Sequence, residues 1–213
     1  QSTIKNRLAT KKTVDYNNVI NAERGLEINR RMLSNGKGKK DPSYDVFLIQ
    51  AMTGARIQEI AGLRGCDFVK RRVGDIDYFC IRITAWDQRG HGALGTRGGL
   101  KTVQSDRFIP LPKCGIKLWE RYANEKNFDA AFPEERPNSP GQPWGARLTA
   151  RMRGKCKSFK TNSWRQTISN NATNAGISYR AVEMVTGKTG ESTVVQYTSD
   201  DLAVMQKLID VNS

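Results

Sequence analysis

N-S-W-R-Q-T-I-S-N-N-A-T-N-A-G-I-S-Y-R-A-V-E-M-V-T-G-K-T-G-E-S-T-V-V-Q-Y, residues Asn162 to Tyr197, is the stretch on which the reading of this chain turns. Arg165 opens a helix with Trp164, Ile168 and Ala172 on one face, and Gly176 stands where that helix stops. Ser178 is placed as the N-cap of a second helix, which buries Val182 and Val185 and ends at Gly187. A third short helix begins near Ser192 and carries Tyr197 close to its end. Two helix-ending turns thus bring Arg165, Lys188 and Tyr197 within reach of one another, an arrangement suited to a phosphate.

Upstream, Ala146 to Lys160 carries Arg147, Arg151, Arg153, Lys155, Lys157 and Lys160. A charge run is ordinarily a solvated face, but one so one-sided favours contacts to a nucleic-acid backbone. Downstream, Asp200-Asp201 caps a last helix with Leu202, Met205, Leu208 and Ile209 in a stripe, a candidate surface for docking on a neighbouring copy. Tyr44 to Thr53 is the first strong helix, broken by Gly54. A second helix then carries Arg56 in its first turn, with Ile57, Ile60 and Ala61 inward and Glu59 three residues on. A first-turn arginine can grip a phosphate, but from that segment alone Arg56 reads rather as a surface ion pair with Glu59.

The period then changes. Phe79, Ile81 and Ile83 alternate with Tyr78, Cys80 and Arg82, which predicts a half-buried strand. After the glycine-rich span 90–99, a second extended run covers Lys101 to Pro112 with Ile109 and Leu111 as its apolar partners. Together they predict a small antiparallel sheet with Lys101 near the hairpin. Gly115 to Lys126 is an amphipathic helix, and the prolines between Phe132 and Trp144 mark a loop. Residues 1–40 read as a basic linker or N-terminal extension with one amphipathic segment, Val14 to Leu33, and residues 41–213 as the main domain. Opening on Gln1, the chain reads as an excised domain.

Composition narrows the partners. Thirty-five Lys+Arg against 21 Asp+Glu give a formal charge of +14, which calls for a polyanion. Nucleic acid fits better than an anionic membrane, because no basic amphipathic helix stands out. Four scattered cysteines without a C-x-x-C pair read as free thiols in a reducing, cytoplasmic setting. With His91 as the one histidine, no metal site and no cofactor are expected. No apolar run is long enough to span a bilayer.

The ordered segments resemble the catalytic domain of the tyrosine recombinases, the phage-type integrases. Thr53-Gly54-Ala55-Arg56-Ile57-Gln58-Glu59-Ile60-Ala61-Gly62-Leu63 resembles the family's T-G-x-R-x-x-E-x-x-x-L segment, which holds its first catalytic arginine. Lys101-Thr102, followed by Arg107-Phe108-Ile109-Pro110-Leu111, resembles the lysine hairpin and its trailing R-x-x-P-L. Arg165 falls at the arginine of H-x-x-R, Gly187-Lys188 at the Gly-His, and Tyr197 at the nucleophile. The match runs over roughly residues 40 to 205, with family-like spacings of 23 residues from Arg165 to Lys188 and nine from Lys188 to Tyr197. Two positions depart: Asn162 replaces the first histidine, and Lys188 the second. Asparagine cannot take a proton near neutrality.

The resemblance implies a mainly helical α+β fold with a small antiparallel sheet. It implies site-specific cleavage and rejoining of DNA attachment sites through a 3′-phosphotyrosine, by a homotetramer on paired sites; the isolated fragment can be monomeric. Arg56 and Arg165 would clamp the phosphate, Lys101 would protonate the leaving 5′-oxygen, Lys188 would donate to a nonbridging oxygen, and Tyr197 would attack. Asn162 would orient the phosphate or Tyr197, and Glu59 would position Arg56. Two alternatives stay open: a DNA-binding relative with impaired catalysis, and a nicking–closing topoisomerase of the type sharing this chemistry.

Overall fold

In the computed structural model, residues 22–33, 43–83, 107–139, 142–155, 160, 162–187 and 199–212 are described. Lys101, Lys157, Lys188, Tyr197 and His91, and the helix expected near Ser192, lie outside them.

Helix α2 (Tyr44–Thr53) lies in the core: eight of its ten residues are buried, so it is enclosed on nearly every side. Val46, Phe47, Ile49 and Met52 supply the apolar surface, at about 1.5–3 kcal/mol per fully buried large side chain. Around it stand α1 (Ala22–Leu33), α3 (Ile57–Ala61) and α6 (Ser163–Asn174); α5 (Ala146–Lys155) packs on α1, and α7 (Tyr179–Thr186) and α8 (Ser199–Val211) complete the helical body. Helix α1 falls within the 1–40 segment, and its Ile28 and Met32 are buried in the same core as α2. Arg121 and Tyr122 of α4 (Ile116–Tyr122) both donate to the buried carboxylate of Asp45, which fastens α4 to α2.

The sheet has three antiparallel strands in the order β1 (Phe68–Val73), β2 (Ile76–Ile83), β3 (Arg107–Pro110). Its register pairs Phe68 with Ile81 on one side and Ile81 with Ile109 on the other. Strand β1 was not anticipated, because Lys70, Arg71 and Arg72 in its middle are exposed and hide the pattern. The signal present was the turn: Gly74-Asp75 joins Val73 to its partner Ile76 as a two-residue hairpin loop. The expected alternation in β2 is also corrected. Tyr78 and Cys80 are buried along with Ile81 and Ile83, while Phe79 is half-buried against Trp119 at a ring separation of 5.0 Å. Burial on both faces lifts the Cys80 thiol to about 12.

The apolar stripe of α8 is not a surface for a neighbour. Leu202, Met205, Leu208 and Ile209 are buried within this chain, where α8 packs on α6, α7 and β3. Arg180 on α7 reaches Asp201 at 3.4 Å and ties the starts of the two helices together. Among the described residues, no helix is long and apolar enough to cross a membrane.

Candidate active site

The site forms where two helices end. Helix α2 stops at Gly54, whose left-handed backbone (φ 60°) lets its N–H return to the Gln50 carbonyl at 2.8 Å. A side chain could not be carried here: a Cβ would lie 2.8 Å from Ile168 Cδ1 and 3.3 Å from the Arg165 Cα. The missing side chain is therefore what lets α6 approach the end of α2. Helix α7 stops the same way at Gly187 (φ 64°), whose N–H meets the Glu183 carbonyl at 2.7 Å. As predicted, Trp164, Ile168 and Ala172 of α6 and Val182 and Val185 of α7 face the core. Ser178 precedes α7 in extended geometry, without a side-chain capping bond.

Arg165 joins the two terminations. Its Nη1 donates to the Gly54 carbonyl at 3.1 Å, and its Nη2 to the Thr186 carbonyl at 2.6 Å. A cation at two helix C-termini satisfies carbonyls left over by both and complements both dipoles. The residue is only 5% exposed. Burial is the main reason its pKa falls to about 10; repulsion from Arg56 and Arg107 adds to this, and Glu59 opposes it.

Arg56 is not inside a helix, as its expected first-turn position would require. It is the extended residue just before α3 (φ −67°, ψ 138°). Its backbone N–H donates to Glu59 Oε2 at 2.8 Å and its Nη1 to Glu59 Oε1 at 2.8 Å. The pair is no surface contact, because the Glu59 side chain is 3% exposed while that of Arg56 is 42% exposed. Glu59 holds Arg56 from the protein side and leaves part of its guanidinium facing solvent.

Arg107, quoted in the sequence only as part of a motif, is the unexpected member. Period-two alternation places it on one face of the chain with Ile109 and Leu111, and all three are buried. An arginine at an inward strand position was thus readable as a buried charge needing a partner. Its Nη2 donates to Glu59 Oε2 at 2.7 Å, its Nη1 lies 3.5 Å from Oε1, and its Nε donates to the Val185 carbonyl at 3.0 Å. Burial alone would raise the Glu59 carboxyl; Arg107 and then Arg56 outweigh it and bring the pKa down to about 2. Two guanidinium groups, those of Arg56 and Arg107, therefore hold one carboxylate, and Arg165 lies near enough to feel all three.

Asn162 precedes α6 with its side chain exposed and forms no capping bond. In the basic segment, Arg147 donates to the Glu134 carbonyl and to Asn138, and Arg151 pairs with Glu135 at 2.8 Å. Arg153 and Lys160 are exposed, and Lys155 is half-buried. Among the described residues, no group of three or more His, Cys, Asp or Glu side chains is placed to hold a metal ion.

No protein-family profile matches the sequence, and no curated protein matches it. Among solved structures, the chain is similar to the Tn1549 transposon integrase, in a fragment bound to transposon right-end DNA. The TM-score is 0.51 at 16% identity; the likeness covers 87% of this chain, which spans 63% of the length of that one. Helical body and three-stranded sheet together identify the architecture: this chain has the catalytic-domain fold of the tyrosine-recombinase integrases.

Proposed function

We propose that the protein is a tyrosine recombinase that cleaves and rejoins double-stranded DNA at specific sites through a covalent phosphotyrosine. The observation that carries this reading is the convergence of Arg56 and Arg165, 109 positions apart, beside a single buried carboxylate. Arg56, held by Glu59 from the protein side with its side chain 42% exposed, presents guanidinium to solvent beside Arg165, where a phosphodiester would be bound. Planar, permanently charged arginine forks suit the nonbridging oxygens and the added charge of a pentacoordinate phosphorus. The integrase of similar fold was solved on DNA, and the basic segment 146–160 supplies further cations for a backbone.

In this reading Tyr197 Oη forms a bond to phosphorus while the bond from phosphorus to the 5′-oxygen breaks. That oxygen leaves with the electron pair and takes a proton from Lys101; the phenolic proton passes to water. Ionising a free tyrosine at pH 7 costs about 4 kcal/mol, so the surrounding cations must offset much of it. Lys188 donates to a nonbridging oxygen. Rejoining runs the steps backward with the 5′-hydroxyl of another strand, so the bond energy is kept in the phosphotyrosine. The protomers act as a tetramer on paired sites.

The test is covalent capture from a pool of nicked duplex oligonucleotides with randomised core sequence. Wild-type protein should give an SDS-resistant adduct, and Tyr197→Phe none. Binding without an adduct would sink the reading, as would an adduct formed equally by the phenylalanine variant. A second reading, a DNA-binding relative with impaired cleavage, is favoured by one observation: Asn162 is exposed where the family has a titratable histidine. It predicts that Asn162→His raises adduct yield from a very low level. The first reading predicts a yield already substantial in the wild type.

A further inference from the structure

Arg107 belongs to none of the roles above, and its environment differs from that of the other two arginines. Its side chain is 1% exposed, so it has no open side from which to touch a phosphate. Instead one rigid guanidinium joins three segments. It sits on β3, six residues after Lys101; it grips Glu59 on α3, the carboxylate that holds Arg56; and it grips the Val185 carbonyl in the last turn of α7, three residues before Lys188. The turn itself rests on it, since a Cβ on Gly187 would come within 2.7 Å of Arg107 Nη1.

We propose that Arg107 is a positioning residue for strand cleavage, aligning Arg56 and the turn at Gly187 around the phosphate by locking Glu59 to the end of α7. The inference rests on the recombinase reading. The chemistry requires arginine in particular: a planar fork reaches a carboxylate and a carbonyl in fixed directions together, which a single ammonium cannot. Fold stability alone does not demand the group, because buried ion pairs are often replaceable by apolar side chains.

The experiment compares wild type, Arg107→Gln, Arg107→Lys, Glu59→Gln and the Arg107→Gln/Glu59→Gln double variant. Each is checked for folding by circular dichroism. Adduct rate on the same nicked duplex pool, at saturating DNA, is read separately from DNA affinity. Arg107→Gln should lower the adduct rate by about 100-fold, the scale of a small misplacement of reacting groups, with affinity nearly unchanged. Arg107→Lys should recover part of the loss. Because Arg107 acts through Glu59, the double variant should be scarcely slower than Glu59→Gln alone. If Arg107→Gln does not fold, Gly187→Ala displaces the same guanidinium from its other side and is read in the same way. A folded variant with an unchanged rate overturns the inference, as does a loss that merely follows affinity or adds fully to that of Glu59→Gln. No adduct from the wild type overturns the recombinase reading and this inference with it; an adduct formed as fast by Arg107→Gln overturns this inference alone.

Discussion

Glu59 and Glu135 are both buried carboxylates that hold arginines, yet they do opposite things. Glu135 accepts from the Ser43 hydroxyl, from Arg151 Nη2 at 2.8 Å and from the Leu148 N–H at 3.0 Å. Among the described residues one guanidinium meets that carboxylate, and a hydroxyl and a backbone N–H also donate to it. Glu59 instead serves Arg56 and Arg107, with Arg165 close enough to feel all three. Among the described residues the cations around Glu59 outnumber that one carboxylate, the setting that the recombinase reading assigns to a phosphate. That difference, more than burial, sets the two carboxylates apart.

The widest separation of the two is expected from Glu135→Ala. It should lower unfolding stability by about 3–5 kcal/mol, as breaking a buried pair does, while adduct rate per folded molecule is kept. Urea unfolding alongside the adduct assay measures both, and a rate that falls with stability would erase the distinction. Arg165→Ala should do the reverse in kinetics and lower the adduct rate by about 10²–10³-fold, the loss typical of one transition-state donor. Gly54→Ala tests the helix junction: its left-handed backbone and the Ile168 contact should cost about 1–3 kcal/mol in thermal or urea unfolding.

A smaller effect is a pH dependence specific to Glu59. Its carboxyl is lowered from an ordinary 4.5 to about 2, so its contribution to stability is fully present above about pH 4.5. That contribution is lost as pH falls toward 2. Glu59→Gln should flatten the pH–stability curve across that window, and an unchanged slope would mean the arginines do not hold the charge. Least of all should be the stability change in Arg56→Ala, under about 1 kcal/mol for a partly exposed pair, against a loss of cleavage similar to that of Arg165→Ala.

Helical periods carried most of the architecture, because α2, α6 and α7 bury the residues that their spacing selects. Strand β1 was missed since Lys70, Arg71 and Arg72 are exposed and leave no alternation; only the Gly74-Asp75 turn announced it. The fate of the α8 stripe could not be read from spacing, which shows that a face is apolar but not what covers it. In the site, motif order singled out Arg56, Glu59 and Arg165, and folding brings these three together. Arg107 lay in the R-x-x-P-L run that trails Lys101 but drew no role, because its partner is 48 residues away and only tertiary structure reveals the contact. Arg147 and Arg151 show the opposite limit: a run of cations cannot tell which of them are already engaged by carbonyls and carboxylates nearby.

Helix α2 has one further consequence. Its leading residue, Ser43, is bonded to the carboxylate that secures α5, and its trailing Gly54 receives the guanidinium of Arg165. Ten helical residues at 1.5 Å each make it a ruler of about 15 Å between the residue that meets Glu135 and the residue that meets Arg165. One inserted residue would lengthen that ruler by about 1.5 Å and turn one end relative to the other by about 100°. If the recombinase reading holds, a protein so altered would still bind a duplex, but with the two ends of α2 out of phase it would not cleave it.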